Sequence, residues 1–237
     1  FVPALGDGFR IIEYDRRNCR LSEMREAVYT QDDLAAEAAG LLDHLGLERI
    51  IVVGDSMGGT IAQSFALAFP ERVFALALVE TSAHMHEAPF YGPLKELIAL
   101  DDAEGTGAVF ERRRRAIYEP QLPANIASLP EERRFALQEQ MDAAGQALAN
   151  VPEAKVKEVA LGELCNWRAH VASDTRPRLA ELARHRTIVI HGDMDQTVPT
   201  GHGRELHAAI AGSELALIPG GQHGIFIWPG GRSAIRH

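Results

Sequence analysis

The sequence predicts an α/β fold: a mostly parallel sheet flanked by helices and split by a helical insertion. Three observations carry this. Between Arg10 and Glu80, apolar runs of strand character alternate with amphipathic helical stretches. That rhythm belongs to parallel strands joined by right-handed crossovers. From about Ser82 to Leu182 no buried strand is legible, and the alternation returns between Thr187 and Ile218.

Element by element, Arg10–Tyr14 is a β-rich run ending at Asp15 and is expected to be the first strand. Thr30-Gln-Asp-Asp33 supplies an N-cap and early acids, and Leu34, Ala38, Leu41, Leu42 and Leu45 recur at helical spacing until Gly46. Arg49–Val53 is apolar on both faces, as a buried parallel strand is. Gly54–Gly59 breaks it, Thr60–Phe69 is a helix stopped by Pro70, and Val73–Val79 is a second two-sided strand. Leu94–Leu100, Val109–Ile117, Glu131–Leu148 and Ala154–His170 have helical character. Thr187–Ile190 is then a strand, Gly203–Ile210 a helix and Glu214–Ile218 a last strand.

The 237 residues are 46 % hydrophobic and 24 % charged, which excludes disorder and low complexity. The longest apolar run, Val73–Val79, is far short of a membrane span. A net charge of −9 argues against a nucleic-acid partner, which calls for a basic surface. Two cysteines, Cys19 and Cys165, make no disulfide framework and fit a reducing, cytoplasmic compartment. The opening from Phe1 has no signal-peptide pattern and reads as though a further segment, with any targeting signal, preceded it. Nothing in the sequence reads out the oligomeric state.

Gly54-Asp55-Ser56-Met57-Gly58 is a G-x-S-x-G pattern between a strand and a helix. A serine on so tight a turn is held in a strained backbone conformation that lifts its hydroxyl clear of the sheet. Its neighbours two residues either side are expected to be small to avoid clashes, and a third small residue, Gly59, lets the following helix pack closely. The amide of Met57 opens the following helix, where negative charge is favoured. A serine hydroxyl needs a base, and the base an orienting acid, both from later strand ends in the order Ser, acid, His. Asp195 follows the strand Thr187–Ile190, and His223 follows the strand Glu214–Ile218. Asp193 and Glu80 compete with Asp195 for the acid. His191 is expected to pack beneath the site. His84 and His86 form an H-x-H without a third ligand at sensible spacing, so a plain loop is expected. Arg112–Arg115 point all round a helix and are expected to be a solvated face. Trp167 and Phe90 line a pocket or pack within the insertion. Neither cysteine has a nucleophile's context.

Ser56, Asp195 and His223 in this frame resemble the α/β-hydrolase fold family, in particular its small-cap serine hydrolases. The similar stretches are Gly54–Gly59 with Pro70-Glu-Arg-Val73, Gly192-x-x-Asp195-x-x-Val-Pro199, and Gly221-Gln-His223-Gly224. The resemblance implies an α/β-hydrolase core in residues 1–83 and 181–237 with a helical cap, residues 84–180, over the site. It implies an acyl-enzyme mechanism with Ser56 as nucleophile, His223 as base, Asp195 as its orienting acid and the Met57 amide in the oxyanion hole. No cofactor and no metal are expected, and the partner is a small ester or lactone. Family members include esterases, lactonases, enol-lactonases and hydrolases of activated C–C bonds. Cleavage of a vinylogous diketone on the same residues, or a non-catalytic ligand-binding protein, are the rival functions.

Two departures stand out. Where the family shows D-x-R-G-x-G-x-S, this chain has Asp15-Arg-Arg17-Asn18-Cys19-Arg20-Leu21-Ser22. Asn18 and Arg20 replace glycines, so that loop is expected to run differently. The HG-type motif that precedes the family's corresponding strand, and supplies a second oxyanion-hole amide, is not in the sequence. The family's sheet order, 1-2-4-3-5-6-7-8, makes Arg10–Tyr14 the fourth strand, with the third between it and Arg49–Val53. The expectation is therefore a fragment, or a sheet closed by direct pairing of those two runs.

Overall fold

The computed structural model describes residues 8–85, 91–118, 131, 135, 138–139 and 152–225. Four of the apolar runs form a parallel sheet in sequential order: β1 (Ile50–Asp55), β2 (Val73–Val79), β3 (Arg186–Gly192) and β4 (Glu214–Ile218). Val53 lies opposite Ala77, Leu78 opposite Val189, and Ile190 opposite Ala216. Because every strand runs the same way, all carboxyl ends share one rim, where α/β sheets place their sites.

Helix α1 (Gln31–His44) opens with the expected cap: the Thr30 hydroxyl accepts from the Asp33 amide, and the Asp33 carboxylate accepts from the Thr30 amide. Helix α2 (Met57–Ala68) starts earlier than its apolar pattern suggests, directly after Ser56. Helices α3 (Tyr91–Glu104), α4 (Thr106–Tyr118) and α5 (Glu153–Val171) lie between β2 and β3, and α6 (Thr200–Ala209) between β3 and β4. An irregular 3-10 stretch, Arg176–Arg184, leads into β3. Most of the helical run Glu131–Leu148, together with His86 and Phe90, lies outside the described residues. No helix among the described residues is long and apolar enough to cross a membrane.

The main core joins Ala35, Ala39 and Leu42 of α1 and Ala62, Phe65 and Ala66 of α2 to Leu76, Leu78 and Val189 of the sheet. Leu179, Leu182, Leu206 and Ile210 complete it. Burying a side chain of this size is worth about 1.5–3 kcal/mol, so this apolar layer holds the helices against the strands. His84 and Asp174 form an isolated antiparallel bridge, so the chain leaving β2 meets the chain returning toward β3.

Three expectations are corrected. Arg10–Tyr14 is not a strand and does not pair with β1. A β run needs a ladder partner for its backbone groups, and among the described residues none stands beside it. The sheet therefore does not close in the way considered above. Second, β1 is apolar on both faces but not buried on both: Ile51 and Val53 are 46 % and 40 % exposed. Third, the Asp15–Ser22 loop adopts left-handed backbone without glycine, with Asn18 at φ 58° and Arg20 at φ 47°. Asn18 holds its conformation through its side chain, which donates to the Arg25 carbonyl (2.9 Å) and accepts from the Arg25 amide (2.6 Å).

Candidate active site

Ser56 sits between β1 and α2 at φ 52°, ψ −120°, a region that L residues rarely occupy. Its amide donates to the Val79 carbonyl (2.9 Å), and the Thr81 hydroxyl donates to the Ser56 carbonyl (2.7 Å). The strained turn is thus tied on both sides to the end of β2. Two of the three glycines expected to be small make this possible. A Cβ on Gly54 would fall 2.4 Å from the Gly58 carbonyl oxygen, and one on Gly59 would fall 2.4 Å from the Thr81 side chain. Gly58 faces open space. The residue that must be small after the serine is therefore Gly59, because the helix packs against Thr81. Met57 is the first residue of α2, and an amide there has no intrahelical acceptor.

Asp195 and His223 reach Ser56 from two other strand ends. The loops after β3 and β4 touch backbone to backbone: a Cβ on Gly192 would lie 2.3 Å from the Gly221 oxygen, and the Met194 amide donates to that oxygen (2.9 Å). Outside this contact the Asp193 carboxylate accepts from the Gly220 amide (2.7 Å), which makes Asp193 a staple between the loops. Inside it Asp195 is buried and accepts from the Thr197 and Val198 amides at 2.8 and 2.9 Å. The result is a hydrogen-bonded row: Asp195 Oδ2 to His223 Nδ1 at 2.8 Å, and His223 Nε2 to Ser56 Oγ at 3.1 Å.

The electrostatics follow from this row. Burial disfavours ionised Asp195, but hydrogen bonds from His191, His223 and the Val198 amide outweigh it and hold the carboxyl well below the usual carboxylate range. Burial lowers the basicity of His223, yet Asp195, with Glu80 and Asp55 nearby, raises its pKa above the ordinary imidazole value. His191 is fully buried beneath the row, its Nε2 donating to the Val198 carbonyl (2.8 Å) and lying 3.4 Å from Asp195 Oδ2. Gly203 makes room for that ring, since a Cβ there would meet His191 Nδ1 at 2.6 Å.

Glu80 has a part that its place in the sequence does not reveal. It is fully buried at φ 46°, and its Oε2 accepts from the Gly224 and Ile225 amides at 2.6 and 3.0 Å. Burial pushes its carboxyl up, with the two amides opposing that shift. It grips the loop that carries His223, while the His223 ring itself is bonded to Asp195. The only advance sign was its rivalry for the acid; the loop it holds is far along the chain.

The remaining candidates lie elsewhere. Trp167 packs with Leu97, Val109, Ala160 and Leu164 of the α3–α5 helices, around a void of about 10 Å³. Arg112 pairs with Glu96 at 2.9 Å on an exposed face, and the side chains of the next three arginines lie outside the described residues. Cys19 and Cys165 are both free. An open groove of about 590 Å³ is lined by Asp43, Leu47, Glu48 and Arg72 at the amino ends of β1 and β2, the rim opposite Ser56. Two groups of described side chains bring three ligating atoms within 4.8 Å of one another: Glu80 with Asp195 and His223, and His84 with His202 and Glu205. In the first, the hydrogen bonds above already engage each residue.

Residues 1–229 match the family described as alpha/beta hydrolase fold. The chain is 29 % identical to 2-hydroxy-6-oxo-6-phenylhexa-2,4-dienoate hydrolase of Comamonas testosteroni, covering 91 % of this chain and 71 % of that one. Among solved structures, a hydrolase from Pseudomonas aeruginosa superposes with a TM-score of 0.69 at 25 % identity, over 98 % of this chain and 80 % of that one. The enol-lactonase from Burkholderia xenovorans superposes with a TM-score of 0.63 at 26 % identity, over 91 % and 75 %.

Proposed function

We propose that this chain, which belongs to the alpha/beta hydrolase fold family, is a serine hydrolase that cleaves a small carboxylic ester or lactone through an acyl-enzyme. The observation that carries the proposal is the row Asp195–His223–Ser56, closed by hydrogen bonds of 2.8 and 3.1 Å at the carboxyl rim of the sheet. Ser56 Oγ attacks the carbonyl carbon while His223 Nε2 takes its proton. Asp195 holds the imidazole in the tautomer that leaves Nε2 free to accept, and stabilises the imidazolium that forms. The Met57 amide, at the start of α2, donates to the oxyanion. Collapse of the tetrahedral intermediate expels the alkoxide, which His223 protonates. Water, deprotonated by His223, then attacks the acyl-enzyme and restores Ser56. Every proton in this cycle passes through His223 Nε2, so no cofactor is called upon.

Residues 84–180 are placed in this scheme as a helical cap, supported by the His84–Asp174 bridge at its base and by α3–α5 between β2 and β3. The likeness to an enol-lactonase favours the ester or lactone substrate. A second reading, cleavage of a C–C bond in a vinylogous diketone by the same three residues, has the Comamonas relative in its favour.

The discriminating experiment is a substrate panel: p-nitrophenyl esters of increasing chain length, small lactones and a vinylogous diketone. The expected result is the highest kcat/KM on a short ester or lactone. A preference for the diketone supports the second reading. Absence of turnover on every class, with ligand binding retained, supports a non-catalytic receptor.

A further inference from the structure

From the sequence, His84 belongs to an H-x-H without a third ligand; the fold supplies partners from a distant helix. His202 and Glu205 stand one turn apart on α6, on the face that meets the chain leaving β2. We infer that His84, His202 and Glu205 form a binding site for a divalent transition-metal ion of the zinc class, clamping the segment after β2 to α6.

The geometry points to an ion. His84 Nε2 and His202 Nδ1 lie 3.5 and 3.7 Å from the same atom, Glu205 Oε2. Both separations exceed the usual hydrogen-bond range of about 2.7–3.2 Å. Ligands held about 2.0–2.1 Å from a tetrahedral zinc stand about 3.4 Å apart, which matches them. The imidazole rings meet edge to face, with centroids 5.3 Å apart and planes at 75°, so two ring nitrogens converge on one oxygen.

The surroundings fit as well. His84 and His202 are 2 % and 6 % exposed, whereas the Glu205 side chain is 38 % exposed. The cluster is thus buried at its histidines and reaches solvent at Glu205, which provides an entry path for an ion. Two imidazoles and one carboxylate suit zinc, cobalt or nickel and disfavour calcium or magnesium, which take oxygen ligands. The nearby Asp174 carboxylate is engaged by Arg176 at 2.6 and 2.9 Å and is left out of the ligand set. The site shares no residue with the Asp195–His223–Ser56 row, so it stands or falls apart from the proposed chemistry.

The test is titration of the tag-free, metal-stripped full chain with Co²⁺, followed by its visible d–d bands, with Zn²⁺ as competitor. Wild type, His202→Ala, Glu205→Gln and His223→Ala are compared. The expected result is one equivalent bound with tetrahedral bands in wild type and His223→Ala. Affinity should fall by at least about tenfold in His202→Ala and Glu205→Gln. Saturating Zn²⁺ should raise the wild-type Tm by about 5 °C, since an ion that binds only the folded state stabilises it. The near-isosteric Glu205→Gln keeps the test readable if His202→Ala folds poorly. No saturable binding overturns the site, as does binding that survives both α6 substitutions or is lost only with His223.

Discussion

The carboxyl rim of the sheet and the segment from Arg10 to Tyr29 lie on the same molecule but are held by different means. At the rim, Ser56, Asp195 and His223 each follow within a few residues of a laddered strand. Backbone contacts, Ser56 to Val79 and Met194 to Gly221, lock their loops together. The N-terminal segment has no ladder. It is anchored largely by side chains: Arg16 and Asn18 meet Asn166 of α5, whose amide donates to the carbonyls of Asn18 (3.3 Å) and Gly162 (3.0 Å) and accepts from Arg16 (2.9 Å). The difference teaches that a site placed by strands inherits the precision of the sheet, whereas a segment placed by side chains depends on one or two distant partners.

Five substitutions break or sharpen that comparison. Ser56→Ala removes the proposed nucleophile while leaving the turn intact, so kcat/KM should fall by about 10⁴-fold or more with the Tm unchanged. Asp195→Asn leaves the imidazole in the wrong tautomer and should cost about 10⁴-fold in kcat. The staple variant Asp193→Asn should be mild, and steady-state kinetics on the pair decide which carboxylate orients His223.

Glu80→Gln should act more gently and through pH. His223 must be neutral to accept a proton, and its pKa is raised, so activity is present above that pKa and lost as the pH falls through it. The acid limb of the kcat/KM profile therefore lies above about 6.5. The acids facing His223 are Asp195, Glu80 and Asp55. Removing the Glu80 charge should move the limb to lower pH, and a limb that stays put would make Glu80 a purely structural tie. The smallest effect on rate is expected from Asn166→Ala, which cuts the N-terminal anchor. It should cost about 1–3 kcal/mol of stability, speed hydrogen exchange in residues 16–25 and leave kcat nearly unchanged.

How much was legible follows the same division. The strands Val73–Val79 and Glu214–Ile218 have the bounds expected of them; the first lies inside the parallel sheet, where a strand needs continuous hydrophobicity and shows it. The G-x-S-x-G turn was legible for a related reason: Gly54 is demanded locally, by the Gly58 carbonyl four residues on. Arg10–Tyr14 misled because Ile11, Ile12 and Tyr14 have strand propensity, and propensity does not supply a pairing partner. The grip of Glu80 on the His223 loop and the meeting of His84 with α6 were not legible. Each is a contact between distant stretches that leaves no periodic trace in either.

The central claim is that Ser56 is activated by His223 and Asp195. Its most direct test is covalent labelling with a fluorophosphonate, read by intact mass and peptide mapping. The account predicts one adduct per chain, on Ser56, formed rapidly at neutral pH, slowed strongly in Asp195→Asn and absent in Ser56→Ala. An unlabelled Ser56, or an adduct on another residue that persists in Ser56→Ala, would contradict it.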